Sequence, residues 1–120
     1  MGGNFFNIMD VINIKTEVYG DPVIYIGRSN FFYKLEGSVL ANPYQVNKKR
    51  TLEESLLLYK KWILQMYSLK KGSVYDELVR LAKLEKEGKK FALGCWCRPN
   101  NCHGDIIKQV IEFMVKTNVI

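Results

Sequence analysis

Two short apolar segments constrain the fold of this chain most strongly. Val23–Gly27 and Phe91–Cys97 are almost continuous in hydrophobic residues, a pattern typical of strands covered on both faces. Two amphipathic helical patterns separate them, so the connection is long enough to join parallel strands through helices. We therefore predict an α/β fold in which both segments are neighbouring, parallel, central strands flanked by helices, in a single domain spanning residues 1–120.

A third strand and a long connection complete the N-terminal half. Residues 11–18 alternate between apolar and polar, which predicts a half-exposed strand with Ile12, Ile14 and Val18 on one side. Residues 28–50 show no sustained period. Connections of this length in compact domains are often functional.

The rest of the chain contains capping residues and apolar periods that are typical of helices. Thr51 and Glu54 have the spacing of a capping box, and the apolar period after them predicts a helix to about Leu69. Ser73 is expected to open a second helix in the same way, and Gly88 suits the position just past its end. The apolar residues at 106, 107, 110, 111 and 114 predict a C-terminal helix.

Composition narrows the class of partner. The net charge of +6 permits anionic partners such as nucleic acid, nucleotides or phosphorylated metabolites, although the basic residues are interleaved with glutamates as on a solvated surface. No run of about 18 apolar residues exists, so no membrane partner is predicted. Three cysteines cannot all pair with one another, which favours a reduced, cytoplasmic protein. No cofactor is predicted, and the oligomeric state is left open.

All three cysteines and the only histidine lie within residues 95–103. This segment falls where the second apolar strand is predicted to turn into the C-terminal helix. Residues able to bind a metal or act as nucleophiles are otherwise scarce in the chain. The turn is therefore where we expect chemistry.

A structural zinc site is one interpretation of this turn. Cys95, Cys97, Cys102 and His103 would supply three sulfurs and one nitrogen. The spacing argues against it, because zinc ligands usually come in cysteine pairs two to four residues apart and adjacent side chains normally diverge. We therefore predict no metal ligands.

A ligand-binding or catalytic loop is the second interpretation. Ligands of open α/β sheets lie outside the carboxyl ends of the strands, where Arg28 follows one apolar segment and Arg98 the other. Arg28 can hold a phosphate or carboxylate through two parallel hydrogen bonds, and the N–H groups after Asn101 can hold its other oxygens. Cys102 would act as a thiolate nucleophile and His103 as an acid or base.

A purely structural role is the third interpretation. Buried cysteine is common, so Cys95 is most simply a residue that fills the sheet. A histidine beside a helix start can serve only to cap the helix, and for Cys102 and His103 together the structural and catalytic interpretations stay open. Trp96 is interpreted as a core residue.

Four segments together resemble an uncharacterised family of small domains found in bacteria and their viruses. They are residues 25–28, 42–44, 56–62 and 95–105, and the resemblance extends over about residues 23–115. The last segment, with Cys95-Trp96-Cys97 followed by Cys102-His103-Gly104-Asp105, is the specific part. The connection before Asn42 is longer than in the family.

The resemblance implies an α/β fold and a site built from Arg28, Asn42, Cys102, His103 and Asp105, without implying a reaction. Combined with the residues themselves, it favours binding or processing of a phosphorylated small molecule, most plausibly a nucleotide or nucleoside derivative. Alternatives are a zinc-containing or basic nucleic-acid-binding module, and a viral host-interaction protein without catalysis. Whether the protein is an enzyme is left open.

Overall fold

The computed structural model describes residues 9–17, 19–96 and 101–117. The elements follow one another as β1 (Asp10–Asn13), β2 (Val23–Tyr25), α1 (Leu52–Ser68), α2 (Ser73–Lys86), β3 (Ala92–Cys95) and α3 (His103–Lys116). Three parallel strands and three helices confirm the α/β prediction. Among the described residues, no helix is both long and apolar enough to cross a membrane.

The sheet has the order β1-β3-β2, and both strand pairs are parallel. The prediction that the two apolar segments are parallel neighbours is confirmed, whereas the prediction that both are central is wrong for β2. Among the described strands, β1 pairs with the other side of β3, so β2 forms an edge, and Val23 is 37% exposed. All four residues of β3 are buried.

β1 is shorter than the predicted segment because Asn13 ends it. The Asn13 side-chain oxygen accepts hydrogen bonds from the backbone N–H groups of Lys15 (2.8 Å) and Thr16 (3.3 Å). This side chain thus offers the backbone a turn in place of a further sheet ladder. Val18, predicted to continue the strand, lies outside the described residues.

The core lies between one face of the sheet and the three helices, which pack against one another while α3 packs on β3. Val11, Leu93 and Ile24 pair across the three strands and contribute to this face. The helices bury the following residues against it: Tyr59, Ile63, Leu78, Leu81, Ile107, Ile111 and Met114.

The helix ends agree with the sequence in two of three cases. Glu54 donates its N–H to the Thr51 hydroxyl (3.1 Å) and its carboxylate accepts from the Thr51 N–H (2.9 Å), which confirms the capping box. Gly88 has a φ of 77° and ends α2, as predicted. The predicted cap at Ser73 is wrong, because Gly72 takes the cap position with a φ of 100° and no side chain caps the helix.

The connection from Arg28 to Arg50 contains no helix or strand, as predicted. Local turns with backbone hydrogen bonds fix the conformation of this connection. Asn30 and Leu35 exchange two backbone hydrogen bonds of 2.9 Å, and Asn47 pairs with Arg50. The connection runs from the carboxyl end of β2 to the start of α1, and so borders the candidate site.

Candidate functional site

A cavity of about 340 Å³ lies at the carboxyl ends of β2 and β3. The end of β2 and the loop after it form one wall, and the first turn of α1 forms another. Cys95, Trp96 and His103 complete the lining. This is the position at which parallel α/β sheets bind ligands.

Three of the predicted site residues line this cavity, namely Arg28, Asn42 and His103. Arg28 and Asn42 lie 14 residues apart in the connection between β2 and α1, and His103 is the first residue of α3. The structure therefore brings them together, while their roles in binding or catalysis stay predictions.

Arg28 is exposed on the cavity wall and is positioned by Asn42. Its guanidinium donates a hydrogen bond to the Asn42 carbonyl oxygen. The Asn42 amide in turn donates to the Ser55 hydroxyl (2.9 Å), and its side-chain oxygen accepts from the N–H of Tyr44 (2.8 Å). The ion pairs formed between described residues do not include Arg28, so most of its five N–H donors remain for a ligand.

His103 is buried, with 8% of its surface exposed. Its Nε2 lies 2.8 Å from the carbonyl oxygen of Ile26, and because a carbonyl oxygen only accepts, Nε2 carries the proton. Burial lowers the pKa of His103, and the nearby positive charge of Arg28 lowers it further, against the effect of the Ile26 hydrogen bond. The ring is thus neutral at pH 7, and the edge of the Tyr59 ring packs against it at 5.1 Å between centroids.

The lowered pKa predicts a loss of stability in mild acid. The unfolded chain takes up a proton on His103 near the ordinary pKa of 6.5, whereas the folded ring resists it. The stabilisation is therefore fully present above pH 6.5 and is lost as the pH falls through the folded-state pKa. His103→Gln keeps an N–H for Ile26 but does not titrate, so thermal melts should show the wild-type advantage over this variant shrinking with acidity. An advantage independent of pH would contradict the neutral buried ring.

Cys102 and Asp105 lie in the cap of α3 and are not found among the described residues that line the cavity. The Cys102 sulfur accepts from the Gly104 N–H (3.3 Å), and the Asp105 carboxylate accepts from the Cys102 N–H (3.3 Å). Only 1% of the Cys102 surface is exposed. This geometry accounts for both side chains as a capping box, and their catalytic roles stay predictions.

The other two predicted ligand-binding residues are placed differently. Asn101 is exposed immediately before the cap and is likewise not found in the cavity lining. Arg98 lies outside the described residues.

An aromatic wall of the cavity was missed by sequence reasoning. Trp96, interpreted as core, is half-buried on the cavity wall, and its Nε1 donates to the Tyr25 hydroxyl at 2.7 Å. That hydroxyl donates to the Arg28 carbonyl oxygen, and the Tyr33 ring lies 5.1 Å from Trp96. One signal was available: strand alternation places Trp96 on the sheet face opposite Cys95, and Trp96 follows β3 at the same edge of the sheet where Arg28 follows β2.

The absence of metal ligands stays a prediction. No group of three or more His, Cys, Asp or Glu residues suited to a metal occurs in the described ranges, but Cys97 lies outside them. The expectation that the side chains of Cys102 and His103 diverge is wrong, since Sγ lies 3.8 Å from Nδ1. In the neutral ring, Nδ1 is an acceptor, so the thiol donates to it.

Comparison with known proteins agrees with the resemblance seen in the motifs. A family model described as a domain of unknown function, DUF4326, matches residues 12–113, which extends the similarity N-terminally to include the second half of β1. No curated protein and no solved structure matches the chain. Because the model covers most of the sequence, the chain belongs to the DUF4326 family.

Proposed function

We propose that the cavity binds a phosphorylated small molecule, specifically a nucleotide or nucleoside derivative. The observation that carries this proposal is the pairing of a positioned guanidinium, Arg28, with the aromatic side chains of Tyr25 and Trp96 in one cavity. Its volume of about 340 Å³ is at the lower end of the range of small-ligand sites. A nucleotide offers a phosphate for the charged contact and a flat base for the aromatic one.

Arg28 supplies the contact for phosphate. Its planar fork matches two phosphate oxygens, and the hydrogen bond to Asn42 holds the guanidinium in place before a ligand arrives. Arg50 does not line the cavity, but its guanidinium carbon lies 5.6 Å from the centroid of the Tyr44 ring, which does, so it adds a second positive charge near the cavity.

Trp96 supplies the contact for a base. Tyr25 packs on it edge to face, with ring centroids 6.3 Å apart and planes at 80°, and Tyr33 packs on it at 5.1 Å. These contacts fix the indole orientation, so little side-chain entropy is lost when a flat ligand stacks nearby. The same environment makes the indole a reporter of binding.

The proposal is restricted to binding. His103 uses its Nε2 proton on Ile26 and turns Nδ1 toward Cys102, so both ring nitrogens already have partners. Catalysis by Cys102, His103 and Asp105 would require these cap contacts to rearrange. Such a protein fits the reducing cytoplasm predicted from its cysteines, where thiols stay free.

Tryptophan fluorescence tests the proposal directly. The chain has two tryptophans, so Trp62→Phe leaves Trp96 as the only one. Titration with a panel of nucleoside monophosphates should change its emission saturably, and the unphosphorylated nucleosides should bind more weakly. No change with any nucleotide would overturn the proposal.

Arg28→Lys in this background is expected to weaken nucleotide binding about tenfold, because one charge-assisted hydrogen bond of the fork is lost. The melting temperature should stay unchanged, since Arg28 is exposed. Arg80→Lys is the matched control: it makes the same change on α2, away from the cavity. Equal nucleotide affinity of the two variants would contradict the role of Arg28.

A further inference from the structure

An ordered turn beside the cavity exposes two adjacent phenylalanines. Phe31 is 97% and Phe32 is 91% exposed. The turn is held by the two hydrogen bonds between Asn30 and Leu35, and the Asn30 side chain also accepts from the N–H of Tyr33 at 3.2 Å. We call residues 30–35 the aromatic tip. Exposed aromatic side chains on a fixed turn are typical of an interaction site.

The aromatic tip continues the wall of the cavity. Ser29 and Asn30 line both the cavity and a shallow hollow formed by Phe31, Phe32 and their neighbours. Tyr33, within the tip, packs against Trp96 on the cavity wall. A ligand that extends out of the cavity on this side would meet the two phenylalanines next.

Positive charge is concentrated in the same connection. Residues 28–50 contain five of the 18 basic residues of the chain but only one of the 12 acidic residues. This segment therefore carries a net charge of +4, out of +6 for the whole protein. Of these charged residues, Arg28 lines the cavity, and Lys34 lines the hollow together with the one acidic residue, Glu36. Aromatic side chains combined with basic ones form the surface that single-stranded nucleic acids recognise, through base stacking and phosphate contacts.

We propose that the protein binds single-stranded nucleic acid, with one nucleotide in the cavity and the adjacent bases stacked on Phe31 and Phe32. This inference rests on the proposed nucleotide site and names the polymer as its substrate class. A lipid or protein surface would also cover the phenylalanines. Neither would explain why the aromatic tip adjoins a cavity that combines a guanidinium with an indole.

The decisive comparison is between a mononucleotide and short oligonucleotides. In the Trp62→Phe background, single-stranded DNA and RNA of the same sequence should each be titrated beside the matching nucleoside monophosphate, a duplex and anionic vesicles. We expect at least one single strand to bind about tenfold tighter than the monophosphate, because each base stacked on an exposed aromatic side chain adds affinity that a single nucleotide in the cavity lacks. The tighter of the two strands identifies the sugar.

Phe31→Ser combined with Phe32→Ser is the matching variant. It should remove about tenfold or more of the oligonucleotide affinity while leaving monophosphate binding unchanged, because neither phenylalanine lines the cavity. Phe113→Ser is the control, since Phe113 is also exposed (55%) but lies on α3, apart from the tip.

The outcomes separate this inference from the proposed function. Monophosphate binding without tighter oligonucleotide binding, or with full oligonucleotide affinity in the double variant, overturns the inference alone. The inference is also overturned if the duplex binds as tightly as the single strand, or if the double variant loses only vesicle binding. No response of Trp96 to either monophosphate or oligonucleotide overturns both proposals.

Discussion

Replacing Tyr59 by Ala is expected to lower the free energy of unfolding by about 3 to 5 kcal/mol, the usual cost of removing a large buried ring. Tyr59 has no exposed surface, and its ring lies 5.5 Å from Trp62 and 5.1 Å from His103. It thus joins α1 to the start of α3, beneath the cavity. Denaturant unfolding followed by circular dichroism measures the loss.

Tyr59→Phe separates the ring from the hydroxyl. The hydroxyl donates to the carbonyl oxygen of Leu40 at 2.7 Å, and burial raises the pKa of Tyr59, so the donor proton is kept. Without it the buried Leu40 carbonyl lacks this partner, which costs about 1 to 3 kcal/mol. Tyr75→Phe, on α2 and only half-buried, is the control and should change stability little. Unchanged stability of the Tyr59→Phe variant would show that the hydrogen bond to Leu40 does not hold the connection between β2 and α1 in place.

This contact also matters for the site. Leu40 lies two residues before Asn42, and Asn42 positions Arg28. We therefore expect Tyr59→Phe to weaken nucleotide binding modestly although Tyr59 does not line the cavity. The hydroxyl acts as a positioning group.

Local signals in the sequence predicted the parts of the fold that depend on local chemistry. The capping box of α1 needs only Thr51 and Glu54, and β3 is a short apolar run bounded by turns. The edge position of β2 depends on where β1 pairs, which is a contact between distant residues. The cap of α2 depends on a backbone angle at Gly72 that composition does not reveal.

The same contrast between local signals and distant contacts applies to the site residues. The meeting of Arg28 with His103 was predictable, because the carboxyl ends of neighbouring parallel strands share one edge of the sheet. The capping role of Cys102 and Asp105 was also within reach, since their spacing equals that of Thr51 and Glu54. The long connection has no period, so its aromatic tip and its placement against Trp96 required the structure.

Gly104→Val is expected to destabilise the protein by about 3 kcal/mol, because α3 starts in direct contact with the sheet. A Cβ atom at Gly104 would lie 2.7 Å from Val11 Cγ1 and 3.0 Å from Ile26 Cδ1. Val11 is β-branched and stiff, and Ile26 is completely buried, so neither moves cheaply. This explains why a glycine directly follows His103 in the segment of residues 95–105.

Gly104→Ala tests the same contact through the direction of the stability change. Alanine has the higher helix propensity, by up to about 1 kcal/mol in a helix interior, and Gly104 is the second residue of α3, so a net loss of stability would point to the contact with Val11 and Ile26. Gly20→Ala is the control: it is exposed, with no atom within 4 Å of the added Cβ, and should be neutral or slightly stabilising. Displacement of α3 would also lengthen the bond from His103 to Ile26 and disturb the cavity, so nucleotide affinity should fall together with stability. A Gly104→Ala protein that is more stable and binds the nucleotide normally would show that a methyl group fits at the start of α3. Close packing would then not explain the glycine at this position.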